Sequence, residues 1–126
     1  MPEKPVLIVD DDRDVCNLLA EVLESELGVN AVQAHSGEEG LRKATEWKPA
    51  LVLLDMRMPS GLSGLETVKL LKSQAATRSI PVIGMSGAVP DVMGLLAGCD
   101  DFIPKPFDIG HFAFRVQQHL QRNHAN

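Results

Sequence analysis

The sequence predicts an α/β fold, a parallel β-sheet with helices packed on its faces, and three observations carry that reading. Short apolar runs alternate with stretches of helical periodicity five times along the chain. Several of those runs are apolar at every position rather than at every second one, as strands buried on both faces must be. At 126 residues, 44% apolar and 23% charged, the chain has the size and composition of a single domain, residues 1–126, with about 5–122 structured.

Strand one is Val6–Val9. The first helix runs over Arg13–Leu27, with Asp12 as N-cap and Gly28 as stop, and Val15, Leu18, Leu19, Val22 and Leu23 as its core face. Strand two covers residues 30–34. The second helix opens on a capping box, Ser36-Gly37-Glu38-Glu39, and ends before Pro49. Strand three is residues 51–54, after which Met58-Pro59-Ser60-Gly61 makes a turn into a helix from about Gly64 that carries Leu65, Val68 and Leu71. Strand four covers residues 81–85. A fourth helical segment falls in 88–98, short and interrupted by Pro90, Gly94 and Gly98. Strand five is Asp101–Ile103, and a last helix spans 108–122 before a polar tail at 123–126. On that last helix Ile109, Phe112, Ala113, Val116 and Leu120 form a stripe toward the sheet, while Phe114 faces outward.

The strand ends deliver the chemistry. Asp10, Asp11 and Asp12 follow strand one, Asp55 follows strand three, Ser86 follows strand four, and Lys105 follows strand five. In an open parallel sheet the functional groups gather outside the carboxyl ends of the strands, so acids, a hydroxyl and an ammonium converge on one crevice. Each alone has an ordinary explanation: an acidic helix cap, a strand-terminating acid, a turn hydroxyl, a surface lysine. Clustered carboxylates repel, and a hard divalent cation such as Mg²⁺ relieves them while keeping positions for phosphate oxygens. Asp55 is then a candidate nucleophile toward a phosphoryl group. Three carboxylates (Asp10, Asp11, Asp55) balance the charge of Mg²⁺ plus Lys105, a site able to receive an anion. Lys105 lies between Pro104 and Pro106, which restricts its backbone and aims its side chain.

The net charge of −5 is uneven: residues 1–63 hold twelve acidic against six basic side chains, residues 64–126 five against six. No basic stripe marks a direct nucleic-acid surface, and no apolar run approaches a membrane span or a signal-peptide core, so a cytoplasmic location is expected. Cys16 and Cys99, without CxxC spacing, read as reduced, mostly buried thiols.

Together, Val9-Asp10-Asp11-Asp12, Leu54-Asp55-Met56-Arg57-Met58-Pro59, Met85-Ser86-Gly87 and Phe102-Ile103-Pro104-Lys105-Pro106-Phe107 resemble the receiver domain of bacterial two-component response regulators. The resemblance covers essentially the whole chain. It implies a flavodoxin-like (βα)5 doubly wound sheet of strand order 2-1-3-4-5 and phosphorelay signalling in which Asp55 accepts a phosphoryl group from a sensor histidine kinase or phosphotransfer protein. It further implies Mg²⁺ bound by Asp10, Asp11, Asp55 and the backbone carbonyl of Arg57, Lys105 paired with the phosphoryl group, and Ser86 and Phe102 as the switch pair, with Phe102 turning inward as the hydroxyl moves. The Lys105–Pro106 bond is expected to be cis. A downstream target or fused output domain, and a phosphorylation-dependent dimer, complete the implied partners. Such a chain promotes its own phosphorylation and is not a conventional enzyme. Three departures stand out: one extra residue between Pro59 and Gly64 with Ser63 where an acid is common, about three residues fewer between Ser86 and Lys105, and no hydroxyl on Phe102.

Other classes fit less well. A serine hydrolase would need Gly at position 88 of Gly84-Met85-Ser86-Gly87-Ala88, where alanine stands. A phosphatase of the Asp-nucleophile type resembles DxD, but Arg57 occupies the second acid's place. A degenerate receiver acting as a phosphorylation-independent binding module is the main alternative. Phe114 is the candidate partner-surface residue, since aromatic side chains are enriched at interface cores.

Overall fold

A computed structural model describes residues 4–87 and 95–125 of the chain. Its elements are β1 (Val6–Val9), α1 (Arg13–Leu27), β2 (Ala31–Ala34), α2 (Gly37–Trp47), β3 (Leu51–Asp55), α3 (Gly64–Ser73), β4 (Val82–Met85), β5 (Asp101–Ile103) and a C-terminal helix (Ile109–Ala125). All strand pairs are parallel and the order is β2-β1-β3-β4-β5, the doubly wound arrangement expected from the sequence.

The uninterrupted apolar strands are explained by two cores, one on each face. Leu7, Val9, Val52, Leu54 and Val82 pack toward α2 and α3, while Val6, Ile8, Leu51, Leu53, Ile83 and Met85 pack toward α1 and the C-terminal helix. A fully buried leucine or isoleucine here contributes about 1.5–3 kcal/mol relative to exposure. Continued past the strands, the same alternation puts Asp10 and Asp55 on the face toward α1 and the C-terminal helix.

Several expectations are corrected. Leu18 is 47% exposed, and Cys16 takes its place among the buried residues of α1. Cys16, Leu19, Val22 and Leu23 centre the buried stripe, and Leu18 lies about 110° from that centre at 100° per residue. Ile109, the first residue of the C-terminal helix, is 46% exposed, whereas Phe112, Ala113 and Val116 on the same stripe are buried. That helix continues to Ala125, past the boundary at 122. At α2, Ser36 caps Glu39 N–H as expected, but the Glu39 carboxylate accepts from His35 N–H rather than from Ser36. A full reciprocal capping box occurs instead at α3, between Ser63 and Glu66. Of the 88–98 segment, residues 88–94 lie outside the described residues, and 95–97 form a helical turn before Gly98.

Candidate phosphoacceptor and metal site

The sheet register builds the site. Val9 pairs with Leu54, so Asp10, just past the end of β1, stands beside Asp55, the last residue of β3, and Asp55 pairs with Met85, placing Ser86 next along. Asp10 and Asp55 are buried, at 1% and 5% exposure, whereas Asp11 is exposed. One carboxylate oxygen from each of Asp10, Asp11 and Asp55 can be chosen so that all lie within 4.8 Å of one another. Three hard oxygen donors in that span fit a divalent cation such as Mg²⁺.

Lys105 faces both buried acids. Its Nζ is 3.2 Å from Asp10 Oδ2 and 3.7 Å from Asp55 Oδ1, so it is hydrogen-bonded to the first and poised beside the second. The Lys105–Pro106 bond is cis, as expected. Lys105 N–H donates to the Ser86 carbonyl at 3.3 Å, which stitches the loops after β4 and β5 together. Asp55, Arg57, Ser86, Gly87 and Lys105 line one cleft of about 260 Å³. Three of the four stretches that the sequence separates line this cleft, and the Asp10 stretch joins them through the Lys105 contact and the carboxylate cluster.

Local backbone bonds hold the acids. Asp12 N–H donates to Asp10 Oδ1 at 2.9 Å, and Arg57 N–H to Asp55 Oδ1 at 3.1 Å. Met56 N–H donates to Met85 O at 2.9 Å, extending the sheet past Asp55. Gly64 abuts this corner: a Cβ there would stand 2.6 Å from Asp55 O, so only glycine lets α3 start so close to the acid. Burial pushes the Asp55 carboxyl up to about 6, against the Arg57 N–H that lowers it; the Asp10 charge adds to the rise and Lys105 opposes it.

The flanking residues divide clearly. Ser86 is buried and lines the cleft. Phe102 is likewise buried, its ring 3.0 Å from where a Cβ on Gly84 would stand, so Gly84 opens the slot that the ring fills. Phe114 is 58% exposed and faces outward as expected. Both cysteines are buried free thiols; burial pushes Cys16 up to about 12 and Cys99 up to about 11, and Cys16 Sγ–H donates to Asp10 O at 3.3 Å.

One network escaped the sequence reading. Arg115 on the C-terminal helix makes a forked contact to the Asp101 carboxylate and also donates to Phe102 O at 3.1 Å; His119 Nε2 lies 2.9 Å from Asp101 Oδ2, and His111 Nε2 lies 3.3 Å from Arg115. His111, Arg115 and His119 repeat every four residues, a signal that could have put them on one stripe of the helix.

Residues 6–117 match the response regulator receiver domain family. The chain is 38% identical over 119 residues to the transcriptional regulatory protein CpxR of Escherichia coli (strain K12), covering 94% of this chain and 50% of that protein. It is 33% identical over 118 residues to the DNA-binding response regulator MtrA of Mycobacterium bovis, covering 94% of this chain and 51% of that one. The chain thus spans about half the length of these curated relatives. Among solved structures, the receiver domain of NtrX from Brucella abortus superposes with a TM-score of 0.83 at 30% identity, covering 92% of this chain and 98% of that one. A CheY-like receiver domain protein from Methanospirillum hungatei gives 0.87 at 26% identity, with 98% of each covered. Fold, sequence and the meeting of acids, hydroxyl and lysine agree, and the chain belongs to the response regulator receiver domain family of two-component signalling.

Proposed function

We propose that Asp55 is the phosphoacceptor of this domain, taking a phosphoryl group from a sensor histidine kinase or phosphotransfer protein. An Asp55 carboxylate oxygen attacks phosphorus in line, the new O–P bond forms as the N–P bond to the donor histidine breaks, and the imidazole leaves with that electron pair. Asp10, Asp11, Asp55 and the Arg57 carbonyl would hold Mg²⁺, which would supply positive charge to offset that of the phosphoryl group. Lys105 supplies the remaining charge, exchanging its contact with Asp10 for one with the phosphoryl group. Ser86 donates to a phosphoryl oxygen and Phe102 responds to that shift. Water later cleaves the acyl phosphate, which resets the switch; the domain is a switch rather than a turnover enzyme.

The observation that carries this reading is the pair of buried carboxylates at adjacent strand ends, Asp10 and Asp55, with Lys105 Nζ within 3.7 Å of both. A buried acid pair of that kind has no packing purpose and costs stability unless cations join it. The proposed setting is cytoplasmic, with a downstream target or fused output domain and a phosphorylation-dependent dimer as readers of the switch; among the described residues no helix is long and apolar enough to cross a membrane. Incubation with acetyl phosphate and Mg²⁺ should add one phosphoryl mass to the wild type and none to Asp55→Asn. A chain that stays unlabelled would instead be a phosphorylation-independent binding module.

A further inference from the structure

Glu38 lies outside the cleft, on the first turn of α2, yet its carboxylate reaches the loop that follows Asp55. That loop, 56–63, is the stretch with the extra residue before Gly64. Its base is fixed by Met56 N–H on Met85 O, by Arg57 N–H on Asp55 Oδ1 and by the buried side chains of Met56 and Met58. Its far end is fixed by the Ser63–Glu66 capping box and by Gly64 against Asp55 O. The tip, residues 59–61, is exposed. Just past that tip, Leu62 N–H donates to Glu38 Oε2 at 3.2 Å, a bond across twenty-four residues of chain.

Two further contacts show that Glu38 is seated there. Gly61 has φ +70°, and a Cβ on it would stand 2.6 and 2.8 Å from the two carboxylate oxygens, so the carboxylate lies against the loop backbone. Gly37 brings the start of α2 equally close: a Cβ there would lie 2.3 Å from Thr67 Oγ1 and 2.8 Å from Leu62 Cβ. The start of α2 is itself held by the Ser36 cap.

We propose that Glu38 is a positioning residue, bracing the 56–63 loop and through it Arg57 for Mg²⁺ and phosphoryl binding at Asp55; this rests on the assignment of Asp55 and its metal ligands made above. The competing explanation is that Glu38 only offsets the positive end of the α2 dipole. Length and charge separate the two. Glu38→Gln keeps the reach and an accepting oxygen but loses the charge; Glu38→Asp keeps the charge but is one methylene short.

The experiment is calorimetric Mg²⁺ titration of the wild type, Glu38→Gln, Glu38→Asp and Glu38→Ala, with amide exchange read at Leu62 and Arg57. Bracing predicts that Glu38→Gln stays within about twofold of wild type, while Glu38→Asp and Glu38→Ala bind Mg²⁺ about fivefold more weakly and exchange faster at both amides. Wild-type behaviour of Glu38→Asp together with a defect in Glu38→Gln overturns the proposal in favour of the dipole. Faster exchange with unchanged Mg²⁺ affinity also overturns it and leaves the Asp55 assignment intact. A wild type that binds no Mg²⁺ removes that assignment, and the bracing role with it.

Discussion

Replacing Asp55 with asparagine should stabilise the metal-free protein at neutral pH. Burial beside Asp10 raises the Asp55 carboxyl from 3.8 to about 6. Between those values the unfolded chain releases the proton while the folded chain keeps it, so folding loses stability as pH rises through the window. The full loss is reached above about pH 7 and amounts to about 3 kcal/mol, from a rise of roughly two units at 1.36 kcal/mol each. Asparagine preserves the shape and an acceptor for Arg57 N–H while removing the charge, so it mimics the protonated acid. In chelator, urea denaturation at pH 7.5 should show the variant more stable by about 1–3 kcal/mol, with the gain falling to about half near pH 5 and vanishing below about pH 3.5. Saturating Mg²⁺ should stabilise the wild type and not the variant, closing the gap. A variant equal to or weaker than wild type at pH 7.5 in chelator would refute the reasoning, since burial beside Asp10 would then carry no cost.

The remaining predictions use the same site and the edge strand. Asp11→Ala should abolish phosphorylation by acetyl phosphate at fixed Mg²⁺, with Asp10→Ala close behind, because each removes one of the three clustered carboxylates; unchanged labelling of Asp11→Ala counts against the metal assignment. Arg57→Asn should speed loss of the phosphoryl group in a single-turnover decay, since Arg57 lines the cleft, where a guanidinium would cover the anion and an asparagine would orient water. Arg115→Ala should destabilise the fold by about 1–3 kcal/mol in urea, because it removes the forked contact to Asp101, leaving His119 as that carboxylate's remaining side-chain partner, and strips the Arg115 donor from Phe102 O. Phe114→Ala should leave stability and Asp55 labelling unchanged while weakening self-association of the phosphorylated chain in sedimentation.

The strands were legible because a parallel sheet covered on both faces demands apolar side chains at every position, and runs such as Leu51-Val52-Leu53-Leu54 have no other simple use. Helix α1 was legible at both ends: Asp12 caps Asp14 and Val15 N–H groups, and Gly28 takes the left-handed conformation that stops the helix. Its inner face was less so. Leu18 carries the same apolar signal as Leu19, and only the position of the sheet decides which one is buried. Ile109 fails the same way, since periodicity does not tell how near its first turn a helix begins to be buried. At the second helix the Ser-x-x-Glu pattern marked the start correctly, but Glu39 reached one residue further back to His35. The same pattern at Ser63 formed the full reciprocal box. A motif at this scale fixes the helix boundary, and the approach of the preceding chain decides where the glutamate goes.

The site residues were legible for a different reason. Each polar group follows directly on an apolar strand, so the sheet order converts sequence position into spatial neighbourhood, and Asp10 must stand beside Asp55 once β1 and β3 pair in register Val9 to Leu54. What the strand pattern does not contain is the sharing of Lys105. Its ammonium is hydrogen-bonded to Asp10 at 3.2 Å and stands 3.7 Å from Asp55, so it rests against the acid that, on the proposed assignment, does not react. An incoming phosphoryl group must draw Lys105 away from Asp10, leaving a fully buried carboxylate in need of another cation. Loss of one partner from a buried pair costs several kcal/mol, about 3–5 when nothing replaces it. That cost ties the two cations together: lysine transfer to the phosphoryl group becomes favourable only when a divalent ion holds Asp10. On the proposed assignment, metal dependence would follow from where Lys105 rests, and Asp10→Asn, which needs no replacement cation, should relax the Mg²⁺ requirement for the lysine contact even as it weakens Mg²⁺ binding itself.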